Sequence, residues 1–147
     1  MKTLLILIAA SVGLAGCTSP PTSNVADSPP EKAGQKKLVE FKSYPEALAA
    51  AKASGKPLFL YFGAEWCPPC RQMKAVTFKD ADVIARLADF VVCIIDVDDH
   101  MDLAKQYKVG PIPTFFLVSA DERPISTHVG FLDPEQFIAW LAEGDKR

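Results

Sequence analysis

Cys67 and Cys70 stand two residues apart in the run Trp66-Cys67-Pro68-Pro69-Cys70. Two thiols at this spacing can close a small disulfide and reopen it. Exchange of this kind proceeds when a thiolate attacks a disulfide sulfur and a second thiol resolves the mixed disulfide. The pair follows an apolar run, Pro57-Leu58-Phe59-Leu60-Tyr61-Phe62, and precedes a segment that reads as a helix. Such a junction places the first sulfur at a helix N-terminus, where negative charge is favoured and a thiol pKa of about 8.5 falls. The residue types and their spacing therefore point to thiol-disulfide redox chemistry.

The other residues able to carry chemistry are scattered. Cys93 lies inside Val91-Val92-Cys93-Ile94-Ile95 and reads as a buried core thiol. His100 and His128 are isolated, and there is no second Cys-x-x-Cys of the kind a structural zinc site uses. No metal and no cofactor are expected. The chain of 147 residues, 49% hydrophobic, has room for one ordinary domain with a real core. A formal net charge of -2 gives no reason to expect nucleic acid as a partner.

Residues 1–17 pose a separate problem. Met1-Lys2 is a short positive start, and Leu4 to Leu14 is almost wholly apolar. The run is shorter than the ~18–20 residues a spanning helix needs and ends in small residues, which favours a secretory signal over a retained anchor. Residues 18–37, with Pro20-Pro21 and Pro29-Pro30 among serines and threonines, lack apolar periodicity and read as a tether. The folded unit is then expected at residues 38–147.

Within that unit the expected order is β-α-β-α-α-β-α-β-β-α. A strand at Leu38–Phe41 precedes an Ala-rich helix with Pro45 in its first turn and Gly55 at its end. Leu58–Phe62 and Phe90–Val97 are continuous apolar strands, as expected where both faces are covered. Cys67 to Val76 is a helix whose first turn tolerates Pro68 and Pro69. Asp80 is expected to cap a helix through Leu87, and Asp99 one running to Tyr107. Thr114–Val118 and Ile125–Val129 form a hairpin, and Asp133-Pro134 opens the last helix.

This order resembles thioredoxin. The resemblance rests on Ala64-Glu65-Trp66-Cys67, on Val109-Gly110-Pro111-Ile112-Pro113-Thr114 and on Val129-Gly130, three matches in sequence order over roughly residues 38 to 146. Thr77-Phe78-Lys79-Asp80 and Gly130-Phe131-Leu132-Asp133 are similar to the C-terminal domain of the DsbD-type thiol:disulfide transporter. The implied fold is α/β and thioredoxin-like, a central mixed sheet flanked by helices on both faces. Leu14-Ala15-Gly16-Cys17 resembles the lipobox of bacterial lipoprotein precursors, which would make Cys17 the lipidated residue of the mature N-terminus.

On this resemblance Cys67 is the exposed attacking thiol and Cys70 the shielded resolving one. Ile112-Pro113 matches the family's cis-proline loop, and Trp66, Ile112 and Pro113 are the expected substrate-binding residues, with Phe131 beside them. Two positions depart from the pattern. Tyr61 stands where thioredoxins carry a buried aspartate, and Lys74 where DsbD-type domains carry a glutamate. Glu65, the nearest acid in sequence, is expected to face solvent. Deprotonation of Cys70 is then expected through water or the Tyr61 hydroxyl.

The sequence thus suggests an exported, lipid-anchored thiol-disulfide oxidoreductase, with its domain in the periplasm and the outer membrane favoured by Thr18 after Cys17. It would be a monomer acting on protein disulfides or dithiols. The absence of a His between the cysteines argues for a reducing or intermediate poise. A reductase there needs electrons from a membrane partner, a DsbD-like transporter. The competing readings are a thiol oxidase or isomerase, and a non-catalytic binding module for a partner peptide or copper.

Overall fold

The computed structural model describes residues 40–41 and 43–145. The signal-like residues 1–17 with Cys17, the tether 18–37 and the expected strand start at Leu38 lie outside the described residues. In chain order the elements are β1 (Glu40–Phe41), α1 (Tyr44–Ser54), β2 (Leu58–Gly63), α2 (Pro68–Ala75), a one-turn 3-10 helix (Thr77–Lys79), α3 (Ala81–Leu87), β3 (Val91–Asp96), α4 (Met101–Gln106), β4 (Thr114–Val118), β5 (Pro124–Val129) and α5 (Pro134–Asp145). None of the described helices is long and apolar enough to cross a membrane.

The strands form one mixed sheet in the order β1-β3-β2-β4-β5. β3 runs parallel to β1 and β2, while β4 is antiparallel to β2 and to β5. β2 lies at the centre, and all of its residues are buried, which explains its unbroken apolar sequence. Pro124 opens the edge strand β5, where a missing ladder donor is tolerated.

Alternation along the strands divides the core into two layers. Phe59, Tyr61, Val92, Phe115 and Leu117 face Met73 of α2, Val83 and Leu87 of α3, and Phe137 and Leu141 of α5. Leu58, Leu60, Phe62, Cys93 and Ile95 face Ala47 and Ala51 of α1, with Leu103 and Ala104 of α4 alongside. The first layer is built on rings. Phe59 meets Phe137 edge-on with centroids 5.5 Å apart, and Phe115 stacks on Phe59 and Tyr61 at 6.0 and 5.7 Å. Such aromatic pairs each add about 0.5–1.5 kcal/mol beyond the area they bury.

Of the two aspartates expected to cap helices, Asp80 does so and Asp99 does not. Asp80 Oδ1 accepts from the N–H groups of Asp82 and Val83 at 2.9 and 3.1 Å. Asp99 does not cap α4: the helix begins at Met101, and His100 occupies the cap position without a side-chain bond. The chain first turns on Asp96, whose carboxylate accepts from Asp98 N–H at 3.0 Å and whose carbonyl accepts from His100 N–H at 3.1 Å. The 3-10 turn was not apparent from the sequence either. It places the buried Thr77 hydroxyl 2.6 Å from the Leu132 carbonyl, tying the end of α2 to the approach to α5.

Phe137 has ring partners on β2, β4, the 3-10 turn and α5, so its removal leaves a cavity that no single neighbour can fill. Phe137→Ala is expected to lower the unfolding free energy by about 3–5 kcal/mol, read from urea denaturation followed by circular dichroism.

Candidate active site

Cys67 is the N-cap of α2, with extended backbone angles (φ -83°, ψ 114°). Pro68 and Pro69 fill the first two helical positions and have no N–H to offer. The next amide is that of Cys70, and it donates to Cys67 Sγ at 3.4 Å. The sulfur therefore takes the place of the oxygen in an ordinary N-cap, at the positive end of the helix dipole. The two cysteines are joined as a disulfide, with Cα atoms 5.2 Å apart. The expected contrast in exposure is small in this state: Cys67 is 2% exposed and Cys70 not at all. The cover over Cys67 comes from the facing loop, where the Ile112 carbonyl lies 3.6 Å from its sulfur.

That loop carries a cis peptide bond between Ile112 and Pro113. It is fixed from both sides. Thr114 Oγ1 donates to the Pro111 carbonyl at 2.6 Å, and Gly130 N–H donates to the Pro113 carbonyl at 2.8 Å. Gly130 has φ 106°, a conformation that side-chain-bearing residues rarely adopt, which accounts for a glycine at this place. Ile112 is half-buried and Pro113 buried, while Trp66 on the other side of the disulfide is 63% exposed. The Trp66 ring is held by its indole N–H, which donates to Asp98 Oδ2 at 2.8 Å. Phe131 is half-buried and packs against the core layer below. The structure thus brings Trp66, Cys67, Cys70, Ile112 and Pro113 around one disulfide.

Behind Cys70 the chemistry departs from the expectation. The Tyr61 hydroxyl is buried and donates to the backbone carbonyl of Cys70 at 3.4 Å, not to its sulfur. Burial, and then the Glu65 and Asp96 carboxylates, push its ionisation well above the usual phenol range. A neutral phenol in that position cannot accept a proton from Cys70, so the expected Tyr61 route is withdrawn. Its ring lies along the strand over Gly63, where an added Cβ would sit 2.5 Å from the hydroxyl oxygen. Tyr61 and Gly63 are therefore sterically coupled.

Two cations reach back along α2. Lys74 pairs with the Glu65 carboxylate, and Arg71 Nη1 donates to the Glu65 carbonyl at 3.0 Å. Glu65 is solvent-exposed as expected, and the hydrogen bond and charge of Lys74, then the charge of Arg71, hold its carboxyl below the usual range. An open groove of about 450 Å³ runs beside this pair, with Ile94, Phe78 and Asp96 among its lining residues. Cys93 stays apart from the disulfide, buried in the opposite layer, and burial pushes its thiol up to about 11. His128 stacks on Phe115, and burial lowers its pKa; His100 is exposed. No group of three or more candidate metal ligands occurs among the described residues.

Sequence reasoning missed Asp96, Asp98 and Arg71. The only signal for the acids is their clustering with Asp99 at the end of β3. Tyr61→Phe is expected to lower stability by about 0.5–1.5 kcal/mol, the worth of one hydrogen bond. The same variant should leave the pH dependence of mixed-disulfide resolution where it was. A moved midpoint in stopped-flow measurements would reinstate the hydroxyl as a proton carrier.

Comparison with known proteins agrees with this geometry. The model of the thioredoxin-like domain family matches residues 44–145. The thiol:disulfide interchange protein DsbD of Ralstonia nicotianae is 41% identical over 102 residues, covering 65% of this chain and 17% of that protein. DsbD of Escherichia coli is 37% identical over 101 residues, covering 65% of this chain and 18% of the relative. The chain thus spans less than a fifth of the length of these relatives. Among solved structures, the oxidised C-terminal domain of Neisseria meningitidis DsbD superposes with a TM-score of 0.61 at 27% identity, over 72% of this chain and 99% of that domain. A thioredoxin from Thermus thermophilus gives 0.65 at 29% identity, over 73% and 87%. The chain belongs to the thioredoxin-like family.

Proposed function

We propose that this chain is an exported, membrane-anchored oxidoreductase that reduces protein disulfides through Cys67 and Cys70. The observation that carries the reading is the placement of Cys67 Sγ at the N-cap of α2, facing the carbonyl edge of the cis Ile112–Pro113 loop. In the reduced protein the Cys67 thiolate attacks one sulfur of a substrate disulfide. The first substrate thiolate leaves and takes a proton from solvent. Cys70 then attacks Cys67 Sγ, the Cys67–Cys70 disulfide forms, and the second substrate thiolate is released. Two electrons pass from the cysteine pair to the substrate.

Trp66, Ile112 and Pro113 form the substrate-binding rim. The Ile112 carbonyl, beside the sulfur, is available to an extended peptide, and the exposed indole offers an apolar contact held in place by Asp98. Electrons return to the pair from a DsbD-like membrane donor, a reading supported by the DsbD relatives. Cys17 carries the lipid, residues 18–37 serve as the tether, and the domain acts as a monomer in the periplasm, with the outer membrane favoured. No nucleic acid is a partner.

The purified reduced domain is expected to precipitate insulin by reducing it, and Cys67→Ser to abolish this. Cys70→Ser in the native host should accumulate mixed disulfides with its substrates. Failure of both would leave the binding-module reading, in which copper or a peptide is held stoichiometrically without turnover. In the same host, fatty-acid labelling of the full chain is expected and should vanish in Cys17→Ala; labelling that persists would remove the lipid anchor.

A further inference from the structure

The resolving thiol is the group for which this chain lacks the expected partner. Tyr61 cannot take its proton, and no carboxylate lies on its own helix face. What lies there instead is Lys74, four residues beyond Cys70 and so on the same face of α2. Side chains on a helix lean toward its N-terminus. Lys74 also bonds to Glu65, which precedes Cys67 in the chain, so its stem runs back along the turn that holds Cys70. Arg71 turns the same way, to the Glu65 carbonyl.

We propose that Lys74 is an electrostatic positioning residue for Cys70: its ammonium favours the resolving thiolate, and Glu65 weakens that effect by competing for the same ammonium. The proposal deepens the dithiol reading above and rests on it. An opposite charge within about 4–6 Å favours the ionised form of a group by roughly tenfold or more. A carboxylate in place of Lys74 would act in the opposite sense. The proton lost by Cys70 passes to water, and the thiolate then attacks Cys67 Sγ in the mixed disulfide, expelling the substrate thiolate.

The other groups around Cys70 do not supply this charge. β2 contributes Tyr61, which is neutral, and the Asp96 carboxylate at the end of β3, whose charge acts on Tyr61, would oppose a thiolate. The loop before α2 contributes Glu65, also opposing. Lys79 of the 3-10 turn, with Glu40, Asp99 and His100, lines the groove beside the Lys74–Glu65 pair. The cis-proline loop and Leu132 present uncharged residues to the pair. Lys74 and Arg71 are thus the cations arranged on α2 itself.

The test separates this role from the overall function. In a Cys67→Ser background, where no disulfide can form between the two positions, the Cys70 thiolate is titrated by its ultraviolet absorbance and by alkylation rate. Lys74→Glu is expected to reduce the thiolate fraction at neutral pH by about tenfold, Lys74→Gln by less, and Lys74→Arg to retain it. Glu65→Gln should move it the other way, toward more thiolate. With Cys67 present, resolution of a preformed mixed disulfide should slow in Lys74→Glu and quicken in Glu65→Gln. An unmoved titration in Lys74→Glu, or the same direction of change in Lys74→Glu and Glu65→Gln, would overturn the proposal. Both variants replace exposed or half-exposed side chains, and circular dichroism checks that they fold. Loss of insulin reduction or of substrate trapping would instead strike at the proposed function, because the titration needs neither.

Discussion

The hydrogen bond from Cys70 N–H to Cys67 Sγ is the interaction on which the site depends. It makes one cysteine the cap of the helix and the other its third residue, so both sulfurs are placed by the same turn of backbone. The two prolines between them remove the competing amide donors and preset the backbone of the first turn. A negative charge on Cys67 then meets one N–H and the end of the helix dipole, with little else. This is a modest stabilisation. It is consistent with a dithiol that gives up electrons more readily than one flanked by an additional donor.

The cap would serve no purpose if the helix could shift against the sheet. Rings hold it still. Tyr61 stacks on Phe115 and meets Phe78 edge-on, and its hydroxyl reaches the Cys70 carbonyl from beneath. Met73, one turn beyond Cys70, is fully buried and takes the Leu132 N–H on its sulfur at 3.4 Å. Thr77 ties the same region to the Leu132 carbonyl. The opposite wall of the site, the cis-proline loop, is anchored through Gly130. The disulfide therefore sits between two independently braced segments, and the gap between them is set by the core rather than by flexible side chains.

Much of this could be read from the residues. The continuous apolar runs gave the central strands because burial on both faces removes alternation. Asp80 marked the start of α3 because a side-chain cap is a local interaction. Asp99 misled for the complementary reason: a cap position is decided by where the turn after β3 ends, and that turn is organised by Asp96 pairing in register with Gly63. Trp66 reads from the sequence as a substrate-binding residue, but its anchor at Asp98 lies 32 residues away and carries no local signal. Tyr61 was recognised as a departure, yet its role was misjudged, because a sequence shows that a hydroxyl is present and not which atom it faces.

The departures around Cys70 belong together. A tyrosine at position 61 fills the space beneath the α2 turn with a ring, and that ring excludes any side chain at position 63. With the space filled and the hydroxyl committed to a backbone carbonyl, a buried acid has no room and proton transfer inward has no acceptor. On the proposal above, the proton on Cys70 leaves to water on the Lys74 face of α2. A carboxylate on that face would disfavour the Cys70 thiolate, with nothing beneath it to share the proton. A lysine there has the opposite effect. Lys74 is thus the charge that the Tyr61–Gly63 packing calls for if Cys70 is to resolve a mixed disulfide near neutral pH.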